Sequence, residues 1–209
     1  GLEELGAYSL AFTLMLVVTC VQQSLMTTPF TAFVHRFSAA DRKRYTGSVL
    51  IHHGLLAAIS AAALVVAAIA FHSGFGPPSV AWPAAMLAVV IPFLLLREFA
   101  RRFSFAHSRF KAAVVLDGSV SAAQIAGLAA FAVAGRLTPA AAFGIAGAAS
   151  GAGGLTWLYL ARDELTIAGS EIISQLKRNL HFGRWVFASQ AASMFNSAMI
   201  PWLLTFSRD

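Results

Sequence analysis

Apolar runs as long as a bilayer is thick recur along this chain, separated by short polar connections. A helix needs about 20 residues at about 1.5 Å each to cross the hydrocarbon core. Six stretches approach or exceed that length: residues 8–33, 48–71, 80–97, 112–134, 139–161 and 182–204. The pattern predicts an all-α fold, a polytopic membrane helical bundle of about six transmembrane helices. The fifth stretch is the weakest, because Gly151, Gly153 and Gly154 lower its helical propensity. Gly147 and Gly151 form a GxxxG pair, a face on which another helix packs closely. Pro92 falls mid-span and is expected to kink its helix.

One connection carries a pattern of its own. Over residues 162–181, Ile172, Ile173, Leu176 and Leu180 recur at helical spacing, with Glu171, Gln175, Lys177 and Arg178 between them. That spacing predicts an amphipathic helix lying on a leaflet, with Ser170 as its N-cap.

Composition supports the membrane reading. Hydrophobic residues make up 58% of the 209, charged residues only 11%, and mean hydropathy is +0.71. A soluble domain carries about 25% charged residues, enough to cover its surface. Cys20 is the single cysteine, so an internal disulfide or a cysteine metal cluster is excluded. The chain begins GLEELG, without Met, and ends SRD just after an apolar run, so it reads as a piece of a longer membrane protein.

Charge sets the orientation. Lys and Arg crowd into the connections at 35–46, 98–111 and 162–181 and at the span ends beside them, while HSGFGPPS has none. Thirteen of the fifteen fall on one side of the alternating spans; Arg136 and Arg208 fall on the other. The positive-inside rule makes the rich side cytoplasmic. The net charge of +6 invites a nucleic-acid reading, but no polar segment forms a basic face with interleaved aromatics, so nucleic acid is not the expected partner.

Ionisable groups at membrane depth are the candidates for function. Asp117 lies about five residues into the fourth run, where a charge costs up to roughly 2.5–3.5 kcal/mol on insertion scales. It is either a cavity-facing proton or cation site or a partner for Arg97 or Arg101. Those two arginines are four apart, on one face of a helix continuing past the third span. Such a pair can hold a diphosphate, or can anchor to anionic lipid. Arg102, Arg109 and Lys111 read as topology or lipid charges. The in-span polar residues Gln22, Gln23, His52, His53, Gln124, Gln190 and Asn196 are either interhelical hydrogen-bonding groups or the lining of a polar cavity. No metal-ligand spacing, nucleophile elbow or phosphate-binding glycine loop is present, so neither an enzyme nor a cofactor is expected.

Four stretches carry a family likeness: LGAYSLAFTLMLVVTCVQQSLMTTPF, DRKRYTGSVL, LREFARRFSFAHSRFKAAVVLDGSV and LKRNLHFGRWVFASQ. The chain resembles the polysaccharide exporters, or O-antigen-type flippases, of the multidrug/oligosaccharidyl-lipid/polysaccharide superfamily. The resemblance implies two six-helix lobes around a central cavity. The six spans then become helices two to seven: residues 1–161 an N-terminal lobe lacking its first helix, 162–181 an amphipathic inter-lobe linker, and 182–209 the start of a second lobe. It also implies export of undecaprenyl-diphosphate-linked sugars across the bacterial inner membrane by alternating access, with a proton or sodium ion as the coupling ion. Arg97, Arg101 and Asp117 match the family's Arg-turn-Asp pattern. Substrate binding is expected at Arg97 and Arg101, and at Gln22 and Gln124 from the in-span polar set, with ion coupling at Asp117. The competing expectations are a drug or cation antiporter of the same superfamily and a non-transporting membrane scaffold.

Overall fold

The computed structural model describes the backbone of residues 1–206 and the side chains of residues 1–193; Asn196 therefore lies outside the described side chains. The described residues are helical, with no strand. In chain order the helices are α1 (Leu2–Gln22), α2 (Thr28–Phe33), α3 (Ala39–His72), α4 (Ala81–Ala106), α5 (Phe110–Val133), α6 (Pro139–Leu160) and α7 (Ile172–Phe206). Four continuous helical segments are long and apolar enough to cross a membrane: Leu2–Arg36, Ala39–His72, Pro78–Ala106 and Phe110–Val133. The expected fifth span is a 22-residue helix, α6, which is not among those four.

Local chemistry sets the helix ends. Ser38 caps α3 by accepting from Asp41 N–H, and Thr138 caps α6 by accepting from Ala141 N–H, with Pro139 in the first turn. The C-termini of α3 and α5 close in Schellman turns on Gly74 and Gly135, both at positive φ. α4 closes the same way, with Arg109 N–H donating to the Ser104 carbonyl, but the residue at positive φ is Ser108.

The first span is not a plain α-helix. Between α1 and α2 lies one π-helical turn, Gln23–Thr27. Pro29 has no N–H to offer the Leu25 carbonyl, and the Ser24 and Thr27 hydroxyls bond back to the Cys20 and Gln23 carbonyls. Gly183 of α7 crosses at this turn, where an added Cβ would sit 2.6 Å from the Ser24 carbonyl oxygen.

α4 is the central helix. Half of its 26 residues are buried, and it packs against α1, α3, α5 and α6. It continues through Pro92 without a break. The expected GxxxG face makes its closest contact here: a Cβ on Gly147 would lie 2.3 Å from the Val90 side chain, and Gly151 packs on Phe93. By contrast α5 buries only Ala113 and Val120, and presents Val114, Val115 and Ile125 outward, as a lipid-facing helix does.

The three basic connections meet at one end of the bundle. Thr166 N–H donates to the Lys43 carbonyl, Arg109 pairs with Glu164, and the His35 and His107 rings lie 6.4 Å apart. Glu3, Ser79 and Thr138 gather at the opposite end.

The 162–181 connection differs from expectation. It contains no separate helix: two 3-10 turns lead into α7, which starts at Ile172 and runs unbroken into the sixth span. The start is one residue later than a Ser170 cap would place it. Its polar side docks on the bundle. Gln175, Asn179 and Gly183, spaced by four, are buried, while Ile173, Leu180 and Trp185 are exposed. Tyr45 O–H donates to Asn179 Oδ1 (2.9 Å), and the Arg178 guanidinium lies over the rings of Phe33, Phe37 and Tyr45. Asn179 and Arg178 find partners outside α7, and Gln175 pairs with Arg178, so the apolar residues are left on the outer side.

Candidate functional site

One stripe of α1, Tyr8, Phe12, Met15 and Thr19, continues to Gln23 and forms a wall of a cavity of about 420 Å³. At about 1.5 Å per residue this wall is about 22 Å long, most of the hydrocarbon thickness. α4 supplies Arg97, Glu98, Arg101 and Arg102; α5 supplies Gln124; α6 supplies Phe143 and Ser150. The lining changes along its length. Tyr8, Phe12 and Phe143 stack with ring centroids 5.2–5.9 Å apart at the end away from the basic connections. The arginines and amides lie toward the basic end.

The charges are interlocked. Arg97 Nη2 donates to Asp117 Oδ1 at 2.5 Å, which ties α4 to α5. Both side chains are about a quarter to a third exposed, at 25% and 32%. Arg101 donates through Nε and Nη2 to Glu98 (3.0 and 2.7 Å), and Arg102 Nε donates to the same carboxylate at 3.0 Å. Three guanidiniums against two carboxylates leave one positive charge in excess. Asp117 is not itself on the cavity wall; it reaches the cavity through Arg97.

Two polar groups on the wall have unmet capacity. Arg97 Nε and the buried Ser150 hydroxyl have no hydrogen-bond partner among the described residues. A buried donor without a partner costs about 1–3 kcal/mol, so such atoms mark where water or a ligand oxygen is accommodated.

The expected site residues divide. Arg97, Arg101 and Gln124 line the cavity; Gln124 Nε2 also donates weakly to the Ala146 carbonyl at 3.5 Å. Gln22 does not. Its side chain is fully buried and Nε2 donates to the Leu95 carbonyl at 2.7 Å, so it joins α1 to α4. Its neighbour Gln23, in the π turn, faces the cavity instead. Arg102, read from sequence as a topology charge, is also on the wall. Glu98 and Ser150 carried no sequence signal beyond their types. Glu98 is the third or fourth residue before two arginines on one helix, a spacing that in hindsight pairs them.

Two other in-span polar contacts join helical segments. The Ser24 hydroxyl lies 2.7 Å from Gln190 Oε1, joining the π turn to α7. His52 Nε2 donates to the Ile172 carbonyl at 2.9 Å, joining α3 to α7, whereas His53 Nδ1 donates within α3 to the Val49 carbonyl at 3.0 Å. Among the described residues no three His, Cys, Asp or Glu side chains converge as metal ligands. No protein family, curated protein or solved structure matches this chain.

Proposed function

We propose that the chain forms part of a membrane flippase. On this reading it exports undecaprenyl-diphosphate-linked oligosaccharide or polysaccharide precursors across the bacterial inner membrane by alternating access. The observation that carries the proposal is the elongated cavity with Arg97, Arg101 and Arg102 at one end and neutral hydrogen-bonding groups beside them. Moving a diphosphate head group through about 30 Å of hydrocarbon requires a polar, cationic path shielded from lipid. The likeness of the Arg-rich turn and its following Asp to the polysaccharide exporters adds to this. The cavity volume lies within the range of small-ligand sites, enough for the diphosphate end of such a substrate.

The ion pairs give the binding step its chemistry. An arriving diphosphate competes with Asp117 for Arg97 and with Glu98 for Arg101 and Arg102. Guanidinium binds phosphate bidentately as readily as carboxylate. Asp117, released from Arg97, becomes the coupling group for a proton or sodium ion. The tyrosine and phenylalanine rings at the far end close the path while the basic end is open.

A cation antiporter needs an acid free to hold the cation, whereas both acids here are engaged by arginine. A scaffold needs no cavity. The test is genetic: the full-length gene is restored to a host lacking its own polysaccharide exporter, carrying Arg97→Ala, Arg101→Ala or Asp117→Asn. Loss of export with normal membrane insertion supports the reading, and wild-type export by all three variants rejects it.

A further inference from the structure

A second cavity, of about 510 Å³, lies on the other side of the α5–α6 contact and is almost wholly apolar. Its walls run from Lys111 to Ala123 on α5 and from Leu160 back to Ala149 on α6. The floor is formed where Leu116 and Val120 reach over Gly153, and by Trp157, which stacks edge-on against Phe99 and Phe103. We propose that this groove is a binding site for one chain of an anionic membrane phospholipid, with its phosphate on Lys111.

Length, shape and charge support that occupant. Twelve residues of helix rise about 18 Å, close to one leaflet of a roughly 30 Å core. The alanines and glycine along both walls leave a channel the width of a hydrocarbon chain rather than a seat for a helix with its own side chains. Lys111 is the charged residue on the lining and sits at the basic end, where lipid phosphates lie. Among the described residues it has no ion-pair partner, whereas Arg97, Arg101, Arg102 and Arg109 around it all do. The Ser104 and Ser119 hydroxyls, on the same lining, already donate to the Ala100 and Leu116 carbonyls, and the Lys111 ammonium is the charged head-group anchor the groove presents. The site is separate from the arginine cavity and does not depend on the transport reading.

Trp157 makes the site measurable. The protein, with Trp82, Trp185 and Trp202 changed to Phe, is reconstituted in vesicles containing dibrominated phosphatidylglycerol or dibrominated phosphatidylcholine. Bromine on a chain in the groove quenches Trp157. Quenching is expected to half-saturate at about fivefold lower mole fraction for the anionic lipid, the preference one cation supplies. Lys111→Gln removes that preference, and Ala152→Phe, which fills the groove, reduces quenching by both lipids. Native mass spectrometry of the protein with all its tryptophans gives an independent readout: retained phosphatidylglycerol, lost in Lys111→Gln. Equal quenching by the two lipids, or a preference unchanged in Lys111→Gln, overturns the proposal. So does protection of Trp157 that grows with protein density, which would place a second copy of the chain in the groove.

Discussion

Arg97 and Asp117 hold each other across two helices, so either substitution strands a partly buried charge. Asp117→Asn is expected to lower stability by about 1–2 kcal/mol, less than for a fully buried pair because both groups retain some solvent. The swapped pair, Arg97→Asp with Asp117→Arg, restores the attraction and is expected to recover thermal stability. It moves the cation off the cavity wall, so on the proposed flippase reading export stays lost. Recovery of both together would assign the pair a purely structural role. His107 allows a second test at this scale. Burial, against Phe30 and Phe103, holds its imidazole below the ordinary histidine pKa, opposed by its bond to the Phe103 carbonyl and by Glu164. Arg109 and Arg42 add smaller effects in the same downward direction. A group whose folded pKa is lowered binds fewer protons folded than unfolded. Its stabilising contribution is therefore complete above about pH 6.5 and is lost as pH falls from there toward the folded value. The melting temperature should drop less between pH 7.5 and 5.5 in His107→Asn than in the wild type.

Whole helices are positioned here by what their glycines allow. Gly147 lets α6 lie against Val90 of α4, and Gly183 lets α7 cross the π turn of the first span. Gly147→Leu is expected to cost about 1–3 kcal/mol, because the clash is with a branched side chain on the most buried helix. Gly54 is also inside a helix, α3, but nothing lies within 4 Å of its would-be Cβ. Gly54→Ala should be neutral or gain about 0.5–1 kcal/mol from helix propensity alone. Thermal inactivation in detergent, read as the monodisperse fraction after heating, separates the two. A similar drop for both would mean that the α4–α6 contact is not the tight one.

The molecule has a basic end and an opposite end that carries Glu3 and Glu4. The three basic connections touch one another through Lys43, His35, His107, Arg109 and Glu164. Single cysteines in a Cys20→Ser background test the sidedness. At Ser73 and Leu137 they should react with an impermeant maleimide on intact spheroplasts; at Lys43 and Asp163 they should react only after lysis. Labelling of all four on intact cells would remove the orientation that the proposed flippase reading assumes.

Properties that depend on composition along one dimension were legible in the residues themselves. Span length, the side on which Lys and Arg accumulate, the GxxxG face and the sharing of one helix face by Arg97 and Arg101 all follow from 1.5 Å and 100° per residue. The direction in which a given side chain points inside the bundle does not. Gln22 and Gln23 are both apt amides, yet one is consumed by the Leu95 carbonyl and its neighbour, about 100° further round the helix, faces the cavity. Ser150 left unpartnered depends on how α6 meets its neighbours, whereas Glu98 pairing with Arg101 and Arg102 lies wholly within α4, at helical spacing. The buried polar face of α7 reverses the usual reading of an amphipathic helix for a related reason. In a membrane the apolar face already has a good solvent, so the polar groups are the ones that must find protein. Hydrophobicity selects the helices; hydrogen-bond satisfaction between helices, which exists only once they are assembled, selects the cavity.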